Sequence, residues 1–264
     1  MPLVRVGFPT TSCHRAEVPG VNEDRVILLR QTRLVRKPLD MYSRTNHISI
    51  LLFDWDGTIA DSAELGLAAF QKSFRALGLD FPEEIYRSVY SPNWYSIYEA
   101  MGLPKEKWDR ADELWVHHYG EQTAMLIEGA EETLRQLHLR NYQLGIVSSG
   151  SECRLTRELA HHGLTELFDL VVCNEHMVNK KPHPEGLKTA LAKLNKSNEQ
   201  CCYIGDSPED IEMGKRAEML TVGLRSCYPT SWRLRDAAPD IYIESFSELS
   251  SHFLGAKVTI SKGI

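Results

Sequence analysis

The chain alternates short apolar runs with longer stretches whose apolar residues recur at helical spacing. Residues 48–53, Ile-Ser-Ile-Leu-Leu-Phe, are apolar at nearly every position. That is the pattern of a parallel strand covered on both faces. Similar runs occur at 143–149, 170–173, 202–205 and 220–224, with a last one at 240–243. Between them, 152–162, 184–194 and 208–216 read as helices, and 246–253 as a closing helix. In the second of these, Leu187, Ala190, Leu191 and Leu194 share one face, and Pro184 suits the first turn. Such alternation predicts parallel βα units joined by right-handed crossovers.

Residues 62–126 break the alternation. Leu67, Phe70, Phe74 and Leu77 fall on one helical face, and Gly78 then gives a stop signal. Trp108, Ala111, Trp115, Tyr119 and Gln122 mark a second long helix. This segment has no convincing strand and reads as a small helical cap over the strand ends, able to exclude water and select substrate. The expected division is therefore an α/β core at 46–61 and 127–255, a cap at 62–126, an N-terminal extension at 1–45 and a tail at 256–264.

Candidate chemistry clusters where strands end. After the first run comes Asp54-Trp55-Asp56-Gly57-Thr58. Residues i and i+2 of an extended chain share a face, so both carboxylates point one way. Such a pair repels and calls for a cation or a shared proton. By itself the sequence is also a good tight turn. Ser148 closes the second strand, with the N–H groups of Ser149 and Gly150 at a helix start suited to an anion. Lys181 sits on a Pro-stiffened loop, where its ammonium could neutralise phosphate charge. Asp206 follows another strand, and Asp210 lies four residues on. Hard oxygen ligands without Cys or His suit Mg²⁺. Each element alone has a plainer reading, as turn, helix cap or solvated lysine. The ordered set of four is far more specific.

With these motifs the chain resembles the haloacid dehalogenase superfamily, in its phosphatase branch with a helical cap inserted after the first motif. The resemblance covers about residues 46–250. It implies an α/β fold: a Rossmann-like parallel sheet core with an inserted small helical cap domain. It implies a Mg²⁺-dependent phosphatase that hydrolyses a small phosphorylated metabolite through an aspartyl-phosphate. Asp54 is then the nucleophile and Asp56 the general acid/base. Ser148, Ser149 and Lys181 bind phosphate. Asp54, the Asp56 backbone carbonyl and Asp206 hold the metal, with Asp210 a ligand or a partner of one. The presence of Asp56 argues against dehalogenation. Specificity is expected from the cap, near Glu64 and the loop 91–95. Phosphoglycolate phosphatase relatives are usually glycine-rich in that loop. Asn93 and Trp94 stand there instead, which argues against phosphoglycolate. Trp94 either walls a larger leaving group or joins Tyr95 in the cap core. Arg154, one helical turn past Ser148, either reaches a substrate anion or, the plainer reading, is a surface residue. The alternatives are a phosphomutase of the β-phosphoglucomutase type, a pyrophosphatase, or a non-catalytic binding protein on the same fold.

Composition trims this picture only slightly. A net charge of −6 gives no reason to expect nucleic acid, and no apolar run approaches a membrane span. Residues 1–45 carry eight Lys/Arg against four Asp/Glu, so the remainder carries −10. A basic arm, a targeting segment and a translation start at Met41 compete there; a loose arm or a start at Met41 fits best. The six cysteines form no Cys-x-x-Cys pair. A reducing, cytoplasmic setting is expected. Nothing in the pattern speaks to oligomeric state.

Overall fold

The structure, a computed structural model, describes residues 45–120 and 122–255. The readings for residues 1–44, Met41 included, and for the tail from 256 lie outside the described residues.

The strands are β1 (Ile50–Phe53), β2 (Ala60–Asp61), β3 (Met125–Leu126), β4 (Gln143–Val147), β5 (Leu170–Val172), β6 (Cys201–Gly205), β7 (Leu220–Leu224) and β8 (Ile241–Ile243). The α-helices are α1 (Ala63–Ala76), α2 (Glu83–Val89), α3 (Trp94–Ala100), α4 (Trp108–Tyr119), α5 (Ala130–Leu139), α6 (Glu152–His161), α7 (Glu185–Leu194), α8 (Pro208–Arg216) and α9 (Leu249–Phe253). One sheet has the order β5-β4-β1-β6-β7-β8, and its neighbouring pairs are parallel. This is the expected Rossmann-like α/β core.

The central strand shows why the sheet is covered twice. Leu51 and Phe53 pack with Leu134 and Leu137 of α5 and Leu155 of α6. Ile50 and Leu52 pack on the other face with Leu187 of α7 and Met213 of α8. Alternation of side chains along a strand produces these two clusters. Both faces are fully buried, which is why the run lacks a polar period. The strand order turns back at β1: β4 and β5 lie on one side, β6 to β8 on the other. Open sheets place ligands at the carboxyl ends beside such a switch point.

Helices α1 to α4 form a cluster of their own around Phe70, Phe74, Phe81 and Tyr98. Gly78 follows α1 at φ +79°, a left-handed position that favours glycine and ends the helix. One expectation needs correction here. The segment does carry a strand, β3, which pairs antiparallel with β2. Two residues per strand are too few to leave a period in the sequence. No described helix is long and apolar enough to cross a membrane.

Candidate active site

The acidic turn is built by its backbone. The Asp54 N–H donates to the Ile204 carbonyl at 2.9 Å, which extends the β1–β6 ladder by one residue. The N–H groups of Ile59 and Ala60 then converge on the Trp55 carbonyl, each at 2.9 Å. Gly57 has φ +80°, and a Cβ there would collide with the Asp206 carboxylate. Glycine is thus required twice, by conformation and by the close approach of the second acidic loop.

Asp54 is 7 % exposed, Lys181 3 %, Asp206 3 % and Asp210 0 %. Lys181 Nζ lies 2.7 Å from Asp54 Oδ1 and 2.7 Å from Asp210 Oδ1. Burial alone would lower the lysine's pKa, but Asp210 and Asp54 outweigh it and raise the pKa well above the usual value. Burial pushes Asp54 up to about 7; Lys181 opposes the shift, and Asp210 and Asp56 add to it. Asp206 is likewise raised well above the carboxylate range, by burial first and then by Asp210 and Asp54.

One oxygen each of Asp54, Asp206 and Asp210 lie within 4.8 Å of one another, a set that could hold a cation. Their engagements differ. Asp206 Oδ2 accepts from Ser226 Oγ at 2.6 Å, and Asp54 turns Oδ1 to Lys181. Each of these two acids therefore keeps a second oxygen. Both Asp210 oxygens are engaged: Oδ1 by Lys181 and Oδ2 by the Ser207 N–H at 3.1 Å and hydroxyl at 2.6 Å. The Ser207 contacts form a capping box that starts α8. An all-oxygen, anionic, crowded set fits Mg²⁺, and a divalent ion would relieve the repulsion that raises Asp54 and Asp206.

Asp56 is arranged differently. Its Oδ1 accepts from Ser62 Oγ at 2.7 Å and from Arg154 Nη1 at 2.8 Å. Its Oδ2 takes a short contact from Arg154 Nη2. The guanidinium outweighs burial and holds Asp56 below the usual carboxylate range. Arg154 is 7 % exposed, so reading it as a surface residue is wrong. It lies 4.9 Å from the Tyr119 ring centroid, and its Nη1 is 3.4 Å from Glu158 Oε2. Glu158 also accepts from the buried Trp55 Nε1 at 2.6 Å. A local signal existed in the sequence. Arg154 and Glu158 are one turn apart on α6, and Gly150 leaves the space Arg154 fills, since a Cβ there would strike it. Tyr228 was also missed. It follows β7, and its hydroxyl lies 2.9 Å from Ser62 Oγ.

Ser148 is 1 % exposed. Its Oγ accepts from the Gly150 N–H at 3.0 Å, which leaves its own proton for another oxygen. Ser149 Oγ and Asn174 Oδ1 are buried without a partner among the described residues. These residues, with Asp54, Asp56, Lys181 and Asp206, line one cavity of about 290 Å³. Its other walls come from α1 to α4. Trp94 is among them, and its Nε1 donates to Asp112 Oδ1 at 2.9 Å. Glu64 is exposed and, like Asn93, stands outside the lining.

The fold and this site define an α/β protein with an aspartate- and lysine-based acidic centre at the switch point of its sheet. The haloacid dehalogenase-like hydrolase family matches residues 51–224, and the chain belongs to that family. Pyrophosphatase PpaX of Listeria monocytogenes serotype 4b (strain CLIP80459) is 32% identical over 209 residues, covering 78% of this chain and 96% of the relative. A solved structure of a predicted phosphoglycolate phosphatase from Haemophilus somnus 129PT superposes with TM-score 0.71 at 19% identity, over 78% of this chain and 97% of the other. CbbY from Rhodobacter sphaeroides, solved in complex with phosphate, superposes with TM-score 0.67 at 25% identity, over 76% of this chain and 96% of the other.

Proposed function

We propose that the chain is a Mg²⁺-dependent phosphatase acting on a small phosphomonoester through a covalent phosphoryl group on Asp54. The observation that carries this reading is the position of Lys181 Nζ, 2.7 Å from Asp54 Oδ1 and 2.7 Å from Asp210 Oδ1. That ion pair fixes a carboxylate at a strand end and places a cation beside it. Phosphoryl transfer asks mainly for such positioning and charge neutralisation.

Asp54 attacks phosphorus with a carboxylate oxygen while the bond to the leaving oxygen breaks. Lys181 and the Ser148 hydroxyl hold the equatorial phosphoryl oxygens, and the Ser149 and Gly150 N–H groups add donors. Asp56, once parted from Arg154 and protonated from solvent, delivers that proton to the leaving oxygen and later takes one from the water that attacks the phosphoryl-Asp54. Water supplies the oxygen of the released phosphate, and Asp54 is regenerated. For this Asp56 must exchange Arg154 for the substrate, since both its oxygens face the guanidinium here. Asp54, Asp206 and the Asp56 carbonyl would hold Mg²⁺, which when bound neutralises charge between the carboxylates and the phosphoryl oxygens. Asp210 serves by orienting Lys181. The helices α1 to α4 act as a cap that keeps bulk water from the site.

Hydrolysis of p-nitrophenyl phosphate with and without Mg²⁺, in wild type and Asp54→Asn, tests this. Mg²⁺-dependent release that is lost in the variant is expected; wild-type activity in Asp54→Asn would overturn it. A pyrophosphatase is the second reading, favoured by the 32% identity to the relative of that name. Direct assay of inorganic pyrophosphate separates the two.

A further inference from the structure

The cavity continues past the acidic centre into a chamber among α1 to α4, and its walls change character there. Phe70, Tyr86, Tyr90, Trp94, Trp115 and Tyr119 all line it. Among the described lining residues the only cations are Lys181 and Arg154. Both are already matched, Lys181 by Asp54 and Asp210, and Arg154 by Asp56 with Glu158 beside it. The chamber's own charged residue is Asp112, a carboxylate.

We infer that this chamber takes the leaving group of a phosphomonoester whose alcohol is a flat, uncharged ring. The inference rests on the phosphatase reading above and names its substrate class. Two features carry it. Aromatic walls offer large apolar faces against which a planar ring packs or stacks. A second anionic group would be desolvated beside Asp112, which repels it, and Arg154, once parted from Asp56, still faces Glu158. The same features disfavour inorganic pyrophosphate and sugar bisphosphates, which are anionic at both ends. In this the chain should depart from its pyrophosphatase relatives.

The test compares kcat/KM of the full chain with Mg²⁺ on 4-pyridylmethyl phosphate, glycerol 3-phosphate and inorganic pyrophosphate. The ring ester should exceed the other two by about tenfold, the worth of one good aromatic contact. Trp115→Ala should shrink that ratio by about the same factor. Because the ratio is taken within one preparation, any unfolded fraction cancels. Preference for glycerol 3-phosphate, or an unchanged ratio in Trp115→Ala, would overturn the inference while leaving the phosphatase reading intact; preference for pyrophosphate would overturn both in favour of the pyrophosphatase. No turnover of any of the three by folded chain would overturn both.

Discussion

The acidic centre and the aromatic chamber share one cavity but solve the problem of buried charge in opposite ways. At the strand ends each carboxylate is near a cation or another acid. Asp54 and Asp210 share Lys181, and Asp56 holds Arg154. In the helical segment Asp112 has neutral partners instead. Trp94 Nε1 and Tyr98 OH donate to its Oδ1 at 2.9 and 2.8 Å, and Tyr95 OH to its Oδ2 at 3.2 Å. Burial still raises Asp112 above the usual carboxylate range, against those three donors. Counter-charges suit a site that must receive more charge. Neutral donors suit a wall that must only stay in shape.

The largest effect expected from this contrast is on turnover. Asp54→Asn should lower kcat on the order of 10⁴-fold or more, as loss of a covalent nucleophile does. Its near-isosteric shape should leave the fold intact, which circular dichroism checks. A residual rate near wild type would remove the core site from the comparison altogether.

Stability separates the two regions next. Lys181→Met strands Asp54 and Asp210 without their shared cation, and removing one partner of a buried pair typically costs ~3–5 kcal/mol. Urea unfolding of the metal-free chain measures it. Adding Asp210→Asn to that variant should recover part of the loss. Asp112→Ala leaves two or three donors unmatched in the helical segment and should cost about 1–3 kcal/mol. Asp112→Asn keeps an acceptor and should cost less. If the Asp112 variants proved more damaging than Lys181→Met, the assignment of counter-charge to one region and neutral donors to the other would lose its meaning.

The smallest effect concerns pH. The folded chain holds the Asp54 proton up to about 7, whereas an unfolded carboxyl releases it near pH ~4. Between these values the folded state binds more protons, so this group's contribution to stability falls as pH rises and is fully lost above about 7. Mg²⁺ needs the ionised carboxylate. Its upward shift of Tm should therefore be larger at about pH 8 than at about pH 6. Thermal scans with and without Mg²⁺ give the answer, and a larger shift at the lower pH would count against Asp54 as a ligand.

The two regions also differed in how far the sequence betrayed them. Asp54, Ser148 and Asp206 each follow a nearly continuous apolar run, and alternation of such runs with helices marks covered parallel strands, whose carboxyl ends carry the ligands of open sheets. Their location was thus dictated before any contact was known. The helical segment announced its helices through Phe70 and Phe74; Trp94, left open between wall and core, both lines the cavity and packs on the helical cluster, and Glu64 is exposed outside the lining. Arg154 stayed hidden for a physical reason. Arginine on a helix is ordinarily solvated, and its main partner, Asp56, is 98 positions away in the chain. Only the tertiary fold brings them together. The β2–β3 pair escaped because two-residue strands leave no period.

The full burial of β1, between β4 and β6, has one more consequence. Its amides are hydrogen-bonded into the middle of the sheet, and the Asp54 N–H continues that ladder to Ile204. Amides so placed exchange with solvent deuterium only when the whole core opens. The acid proposed as nucleophile is thus mounted on a strand paired on both sides, whose amides should exchange among the slowest of the described residues.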